Sequence, residues 1–462
     1  MSEIMIDIGH TKADYKKFLQ CKKLPRYDVK GRTIYTDSVS YSQVFGGKTE
    51  EIKIDHSPHL LDFQSIIAER TLALKRYAAF LDCGLGKTAI SLAFANSLAP
   101  RGRVLILCPL SVYEQFHREN KRWYGSRLID LRKGESWTDG IAILNYENRK
   151  KLNMDGVIGV VLDESSILKN DTGETRNHII ETTKNVEYKL MGSATPAPND
   201  HDEYSSHAVF AGLVKTSKEF YAKFFVKNNN RWELKGHAQN AFYHYLSTWA
   251  TYIIKPSELG YESMTEMPVE PEYIYQKCGY EAKKKSLALF QTADNQKDRS
   301  FIFGELRSNP KSERTKKIVD FINQGKGLIW CARNKEEAMF KKLLDTDAVV
   351  VNGSMPVERR VEIVDEWRSG NIKHLISKPS VLGFGINLPE CSHMAYSGFT
   401  YSFEQFYQAV RRSHRYGREG RLKVLVPYTF PERPILSSLR RKLDTFDRDS
   451  MKIQALFNKE GK

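Results

Sequence analysis

The chain has 462 residues, with 71 Lys plus Arg against 56 Asp plus Glu and a formal net charge of +15. Its 41% hydrophobic content supplies more than one packed core, and its length suits two to four domains. No apolar stretch reaches the ~18 residues of a membrane span, and Met1–Asp7 lacks a basic segment followed by an apolar one, so neither a span nor a signal peptide is expected. The basic balance points to a polyanionic partner, nucleic acid ahead of a membrane surface. The competing reading is a solvated basic surface. Six cysteines stand at 21, 83, 108, 278, 331 and 391, and no two have CxxC spacing. They read as reduced thiols in a cytosolic protein, with no zinc site.

Residues 1–55 form a small N-terminal module in which basic and aromatic residues interleave, as in Tyr15-Lys16-Lys17-Phe18 and Lys22-Lys23-Leu24-Pro25-Arg26-Tyr27. This suits DNA contact through phosphates and stacking; the competing reading is a solvated module packed on its neighbour. Residues 56–205 alternate strand-like and helix-like runs, with strands at Val104–Cys108, Ile141–Asn145, Val157–Leu162 and Tyr188–Gly192. Such alternation predicts a parallel sheet covered by helices.

Within that stretch, the apolar run Tyr77–Leu81 leads into Asp82-Cys83-Gly84-Leu85-Gly86-Lys87-Thr88 and then a helix-like segment, Ala89–Leu98. Strand, glycine-rich turn, Lys-Thr and helix is the layout of a phosphate-binding loop. Gly84 and Gly86 let the backbone pass close to phosphate oxygens. The amides around Leu85 and the helix start then point at the anion. Lys87 reaches the outer phosphates and Thr88 holds Mg²⁺. The loop departs from the full GxxxxGK[ST] pattern because Leu81 stands at the first glycine position. Further on, Val157–Leu162 runs into Asp163-Glu164. A β-branched strand ending in two carboxylates places Asp163 at the strand tip as a Mg²⁺ ligand, and Glu164 as the base that activates water. The bland reading of this pair is a solvated helix cap.

Residues 206–305 lose the alternation and carry aromatic, helix-like segments, which predicts a largely helical insertion. Strand signals return at Gly327–Cys331, Ala348–Val351, His374–Ser377 and Leu422–Val426, so 306–430 is expected to be a second α/β domain. Residues 431–462 follow, with a basic helix over Leu436–Phe457.

Several further segments occur in a fixed order: His59-Leu60-Leu61-Asp62-Phe63-Gln64, Val104–Val112 with Trp123 after it, Asn145-Tyr146-Glu147, Asp163-Glu164-Ser165-Ser166 with Lys169-Asn170, and Met191–Asn199. Then come Asn352-Gly353-Ser354 with Glu358-Arg359-Arg360, Ser377–Leu388, and Gln408–Gly417, which reads QAVRRSHRYG. In that order they resemble the motifs of superfamily 2 helicases, most closely the Swi/Snf-type DNA translocases, from about Leu60 to about Arg418. Ile253–Pro256, Met267-Pro268 and Pro310–Ile318 resemble that branch's protrusions, with a structural spacer as the competing reading of the insertion.

The resemblance implies an α/β fold with two RecA-like domains, ATP and Mg²⁺ as cofactors, and hydrolysis between the domains. It implies Gln64 and Gly385 as nucleotide contacts, with Lys87 and Glu164 catalytic. It also implies Arg412 and Arg415 as arginine fingers, and Ser111, Asn352, Ser377 and Lys378 along a nucleic-acid groove. Ser111 has a second reading as a helix cap. The terminal helix is similar to the family's brace.

Three departures stand out. Ser165-Ser166 replaces the Ala-His of a DEAH box, so coupling through that histidine is absent or rebuilt. Ser193-Ala194-Thr195 is closer to RNA helicases than to this branch. Arg418 closes the QAVRRSHRYG segment where the family has Gln. The expected activity is ATP-dependent translocation by a monomer on duplex or branched DNA, without sequence preference, in the cytoplasm of a bacterial or virus-infected cell. RNA stays open as a partner, and no membrane is expected. A strand-separating DNA or RNA helicase is the alternative enzyme, and an ATP-gated nucleic-acid clamp the alternative of another class.

Overall fold

Runs such as Arg103–Cys108 and Val157–Asp163 are apolar at almost every position, the pattern of strands covered on both faces. The computed structural model describes residues 3–9, 11–46, 52, 54, 59–170, 173–229, 231–254, 269–279, 307–382, 387–415 and 418–460. The chain divides into two units, Met1–Met264 with Phe446–Lys462, and Thr265–Thr445.

The N-terminal module is a three-stranded antiparallel sheet of β1 (Glu3–Asp7), β2 (Asp28–Lys30) and β3 (Thr33–Asp37), in the order β1-β3-β2. Helices Lys12–Cys21 and Ser38–Phe45 accompany it, and Ile6, Cys21, Leu24 and Ile34 make its core. It lies against the rest of its own unit. Asp28 pairs with Lys215 at 2.8 Å, Gln43 Nε2 donates to the Thr248 carbonyl at 3.3 Å, and Lys223 sits 4.9 Å over the Tyr27 ring.

The first unit's main sheet has seven strands: β4 (Arg76–Leu81), β5 (Arg103–Cys108), β6 (Ile129–Asp130), β7 (Ile141–Asn145), β8 (Val157–Asp163), β9 (Tyr188–Ser193) and β12 (Ala250–Ile253). Their order is β12-β4-β9-β8-β5-β7-β6, and every pairing is parallel. All C-terminal strand ends therefore lie along one edge, where ligands bind in open α/β sheets. The helix Lys87–Leu98 after β4 buries eight of its residues, Ala89–Ala95 and Leu98.

The second unit's sheet has six strands: β13 (Glu272–Lys277), β14 (Gly327–Trp330), β15 (Ala348–Val351), β16 (His374–Ser377), β17 (His393–Tyr396) and β18 (Lys423–Tyr428). Their order is β13-β18-β17-β14-β16-β15, again parallel throughout. Ile318, Ile322, Ile329, Phe340, Ile376 and Leu425 belong to one core beneath it.

The expected insertion at 206–305 is redrawn by two strands. Ala250–Ile253 pairs with β4 and completes the first sheet, while Glu272–Lys277 pairs with β18 at the edge of the second. The described part of 206–254 holds helices Ser217–Phe224 and Gln239–Ser247 and a hairpin of β10 (Phe225–Asn228) and β11 (Arg231–Leu234). Met267, Pro268 and Lys255–Pro256 lie outside the described residues. The terminal helix runs Arg433–Glu460; its residues to Thr445 belong to the second unit and those from Phe446 to the first. All six cysteines are buried and free of disulfides. Among the described residues no helix is long and apolar enough to cross a membrane.

Candidate functional site

The three segments singled out after β4, β8 and β9 come together because those strands are neighbours in the sheet, in the order β4-β9-β8. A Cβ built on Gly192 at the end of β9 lies 3.8 Å from Asp163 Oδ1 and 3.9 Å from Lys87 Cδ. One glycine thus faces both the β8 carboxylate and the loop lysine.

The loop between β4 and the helix Lys87–Leu98 needs its glycines. Gly84 has φ +90° and Gly86 +80°, a region costly for side-chain-bearing residues. Any Cβ on Gly86 would collide with the Gln64 side-chain amide. Gln64 explains that crowding. Its buried amide accepts from the Leu61 N–H at 3.0 Å and donates to the Leu85 carbonyl at 3.0 Å. It therefore latches the helix Asp62–Leu74 to the loop. Lys87 Nζ donates to the carbonyls of Leu81 at 3.0 Å and Asp82 at 3.4 Å, which holds the ammonium inside the turn. Thr88 follows at the start of the helix.

At the tip of β8, Asp163 is buried and its carbonyl accepts the Tyr146 hydroxyl at 2.6 Å. Glu164 adopts φ +53°, ψ +56°, a left-handed conformation that costs a non-glycine residue about 1–3 kcal/mol and tends to mark functional positions. Its Oε2 lies 3.5 Å from Ser193 Oγ, a contact at the outer limit of a hydrogen bond. Ser193 Oγ in turn accepts the Thr195 N–H at 3.1 Å. Behind Glu164, the Ser165 hydroxyl lies 3.2 Å from His207 Nε2. Burial pushes the His207 imidazole down to about 4.

The donor set fits Mg²⁺-ATP. A glycine turn of positive φ and a lysine bonded to loop carbonyls face one strand-end carboxylate across a side-chain-free Gly192. Thr88 and Asp163 are the residues that would hold the metal, which in such sites also takes phosphate and water oxygens.

The other expected site residues fall in less uniform places. Ser111 is exposed in the 3-10 turn Leu110–Val112, and the helix after it, Tyr113–Tyr124, has no side-chain cap, so the capping reading does not hold. In the second unit, Asn352 Oδ1 accepts from Ser354 N–H at 3.1 Å and from its hydroxyl at 2.7 Å, making a tight turn after β15. Lys378 is bonded to Asn334 and lies 3.7 Å from Glu337. Ser377 corrects the sequence reading. It is fully buried and its hydroxyl donates to the Val351 carbonyl at 2.7 Å, so it ties β16 to β15 rather than facing a groove. Gly385 lies outside the described residues.

The arginine-rich segment follows the helix Phe403–Arg411. Arg411 sits 5.1 Å over the Tyr407 ring and bonds His414. Arg412 is 7% exposed, and its carbonyl accepts the Leu388 N–H at 2.8 Å. Arg415 is half-exposed and bonds Asn387. Arg418 donates to the carbonyls of Pro389 and Gly420, each at 3.0 Å, and to that of Cys391. It clamps two loops together, which gives the departure from Gln a structural meaning.

Residues 310–417 match the helicase conserved C-terminal domain family. The match lies wholly within the second unit. The matched span encloses β14 to β17 and Arg411, Arg412 and Arg415 of the arginine-rich segment. Among solved structures, the chain is similar to the Sulfolobus solfataricus SWI2/SNF2 ATPase core in complex with dsDNA, at 17% identity and a TM-score of 0.42, over 87% of this chain and 96% of that one. No curated protein matches the chain.

Sequence reasoning missed three contributors. Tyr146 stands in a motif-like segment that gives it no role of its own, Ser193 pointed only to the kind of substrate, and His207 belongs to no motif. Ser193 could have been found, since serine in Ser-Ala-Thr is a hydroxyl at a strand end beside a carboxylate strand. His207 meets Ser165 across 42 residues of sequence, and no local pattern marks it.

Proposed function

We propose that this chain is an ATP-dependent translocase of the Swi/Snf branch of superfamily 2 helicases, moving on duplex or branched DNA without reading its sequence. The observation that carries the reading is the convergence of Lys87, Asp163, Glu164 and Ser193 on three adjacent strand ends of one unit, in a chain whose other unit matches the helicase C-terminal domain family over residues 310–417.

In this reading Lys87 exchanges the Leu81 and Asp82 carbonyls for phosphate oxygens. Thr88 and Asp163 would hold Mg²⁺, which would supply neutralisation of the phosphate charge. Glu164 takes the proton from the attacking water, and Ser193 links its carboxylate to the segment leaving β9. Gln64 holds the phosphate loop and serves the adenine edge. Arg412 and Arg415 stabilise charge on the transferring phosphoryl group. Ser111, Asn352 and Lys378, with the net charge of +15, supply phosphate contacts that do not read bases. Domain closure and reopening on each hydrolysis cycle give directed motion.

Strand separation is the second reading, favoured by the hydroxyl of Ser193-Ala194-Thr195 on Glu164, an RNA-helicase-like feature. Displacement of a third strand from a triplex, measured beside unwinding of matched DNA and RNA duplexes, decides between them. Triplex displacement without unwinding supports the translocase. Efficient unwinding with no triplex displacement overturns it.

A further inference from the structure

Glu164 is strained, so the peptides on both sides of it must be held. On one side the Tyr146 hydroxyl holds the Asp163 carbonyl at 2.6 Å. On the other is Ser165, fully buried, with its hydroxyl 3.2 Å from Nε2 of His207. His207 comes from the helix Tyr204–Phe210 and is also fully buried. Its ring stands edge-on to Phe80, with centroids 5.3 Å apart and planes at 85°. Phe80 lies on β4, the strand that runs into the phosphate loop. One imidazole therefore touches both the strand feeding the loop and the turn that carries the carboxylate. Burial keeps that ring neutral near pH 7, so it offers a fixed hydrogen-bonding nitrogen rather than a charge.

We propose that His207 is a positioning residue for hydrolysis: through Ser165 it fixes the turn 164–168 so that Glu164 faces the γ-phosphate side of the site. This rests on Glu164 being the base. It also accounts for Ser165-Ser166, because an imidazole from a separate helix reaches the turn that the DEAH-like histidine would otherwise serve. The route is short, His207 to Ser165 to the strained peptide of Glu164, with Ser193 meeting the carboxylate from the neighbouring strand β9.

The test is steady-state ATP hydrolysis with duplex DNA for the wild type, Glu164→Gln, His207→Leu, His207→Gln, Ser165→Ala and the His207→Leu/Ser165→Ala double variant, with a melting temperature for each. His207→Leu should lower kcat by up to about 10²-fold, the scale of a misplaced catalytic group, with little change in KM for ATP. His207→Gln, whose amide nitrogen reaches the place of Nε2, should recover most of the rate. Ser165→Ala should reproduce the loss, and the double variant should be no slower than the worse single one, as for residues in one path. Wild-type kcat in folded His207→Leu and Ser165→Ala overturns the positioning role, whatever the melting temperatures. So does a His207→Gln as slow as His207→Leu. If the wild type fails to hydrolyse ATP, or Glu164→Gln matches it, the reading of Glu164 falls first and takes this one with it. With an active wild type and an inactive Glu164→Gln, the outcome depends on His207 and Ser165 alone.

Discussion

The strand ends of the first unit and the arginine-rich turn of the second hold their charged groups in opposite ways. In the first unit, Gln64 and Lys87 bond backbone atoms of the loop they serve, and Glu164 is strained at a strand tip. Each group is held by the backbone of its own loop or strand end. In the second unit, four arginines fall within residues 411–418 and divide into different jobs. Arg411 packs on Tyr407 and His414, Arg418 ties carbonyls together, Arg412 is buried, and Arg415 alone of the four is half-exposed. A dense motif thus mixes packed and carbonyl-bonded arginines with a half-exposed one. Its residues separate only when burial and partners are known.

The sharpest division is expected in the first unit. Glu164→Gln should keep ATP binding and lose hydrolysis by about 10²–10⁴-fold, the worth of a general base. Lys87→Ala should weaken binding as well, since its ammonium serves the phosphates in either state. Nucleotide affinity by fluorescence beside turnover separates the two; an active Glu164→Gln would contradict the assignment.

Next come the arginines. Arg415→Ala should cut turnover by about 10³-fold if it is a true finger, with an unchanged melting temperature. Arg412→Ala should cut turnover and also lower the melting temperature, because its side chain is only 7% exposed. Arg418→Ala should lower the melting temperature most, through four carbonyls left without their donor. Equal stability losses at 412, 415 and 418 would erase the distinction between chemistry and scaffold.

The same second unit offers a purely structural control. Glu432 is buried between Arg307, bonded at 2.7 Å, and Arg314. Burial alone would raise its carboxyl, but Arg314 and Arg307 outweigh it and hold it at about 2, below the ordinary 4.5. The folded pKa lies below the unfolded one, so the contribution is full above about pH 4.5 and is lost as pH falls toward 2. Glu432→Gln should destabilise by about 3–5 kcal/mol, the cost of breaking a buried pair, and should flatten the acid limb of the stability curve. An unaltered acid limb would show that the triad contributes little.

The smallest effect is expected from the N-terminal module. Part of its basic–aromatic pattern is already used internally: Tyr27 lies under Lys22 at 5.7 Å and Lys223 at 4.9 Å. Tyr15 is 61% exposed and open to stacking. Tyr15→Ala should reduce stimulation by forked DNA more than by linear duplex, with basal turnover intact; deleting residues 1–55 should do the same more strongly. An unchanged fork preference in a stable deletion would exclude recognition by the module.

Much of this was legible in the sequence because buried parallel strands announce themselves. Ile141–Asn145, Ala348–Val351 and His374–Ser377 have the ends the apolar runs predict, since no polar alternation blurs them. Ala250–Ile253 escaped notice because a four-residue edge strand beside aromatic helices has no period to read. Glu272–Lys277 carries polar ends, so it does not look like a covered strand. The loop, carboxylate and arginine segments were legible as local spacing. Ser377 was misplaced for the converse reason: spacing locates a residue along the chain but not the side on which its hydroxyl finds a partner.

Translocation on DNA stands or falls with the ATPase rate in the presence of no polymer, single-stranded DNA, linear duplex, forked duplex and RNA, repeated across a salt series. The largest stimulation should come from duplex or forked DNA and little from RNA. Affinity should fall steeply with salt, by about 0.9 log units per phosphate contact for each log unit of salt. Stimulation by RNA alone, or a rate indifferent to every polymer, would contradict DNA-driven translocation.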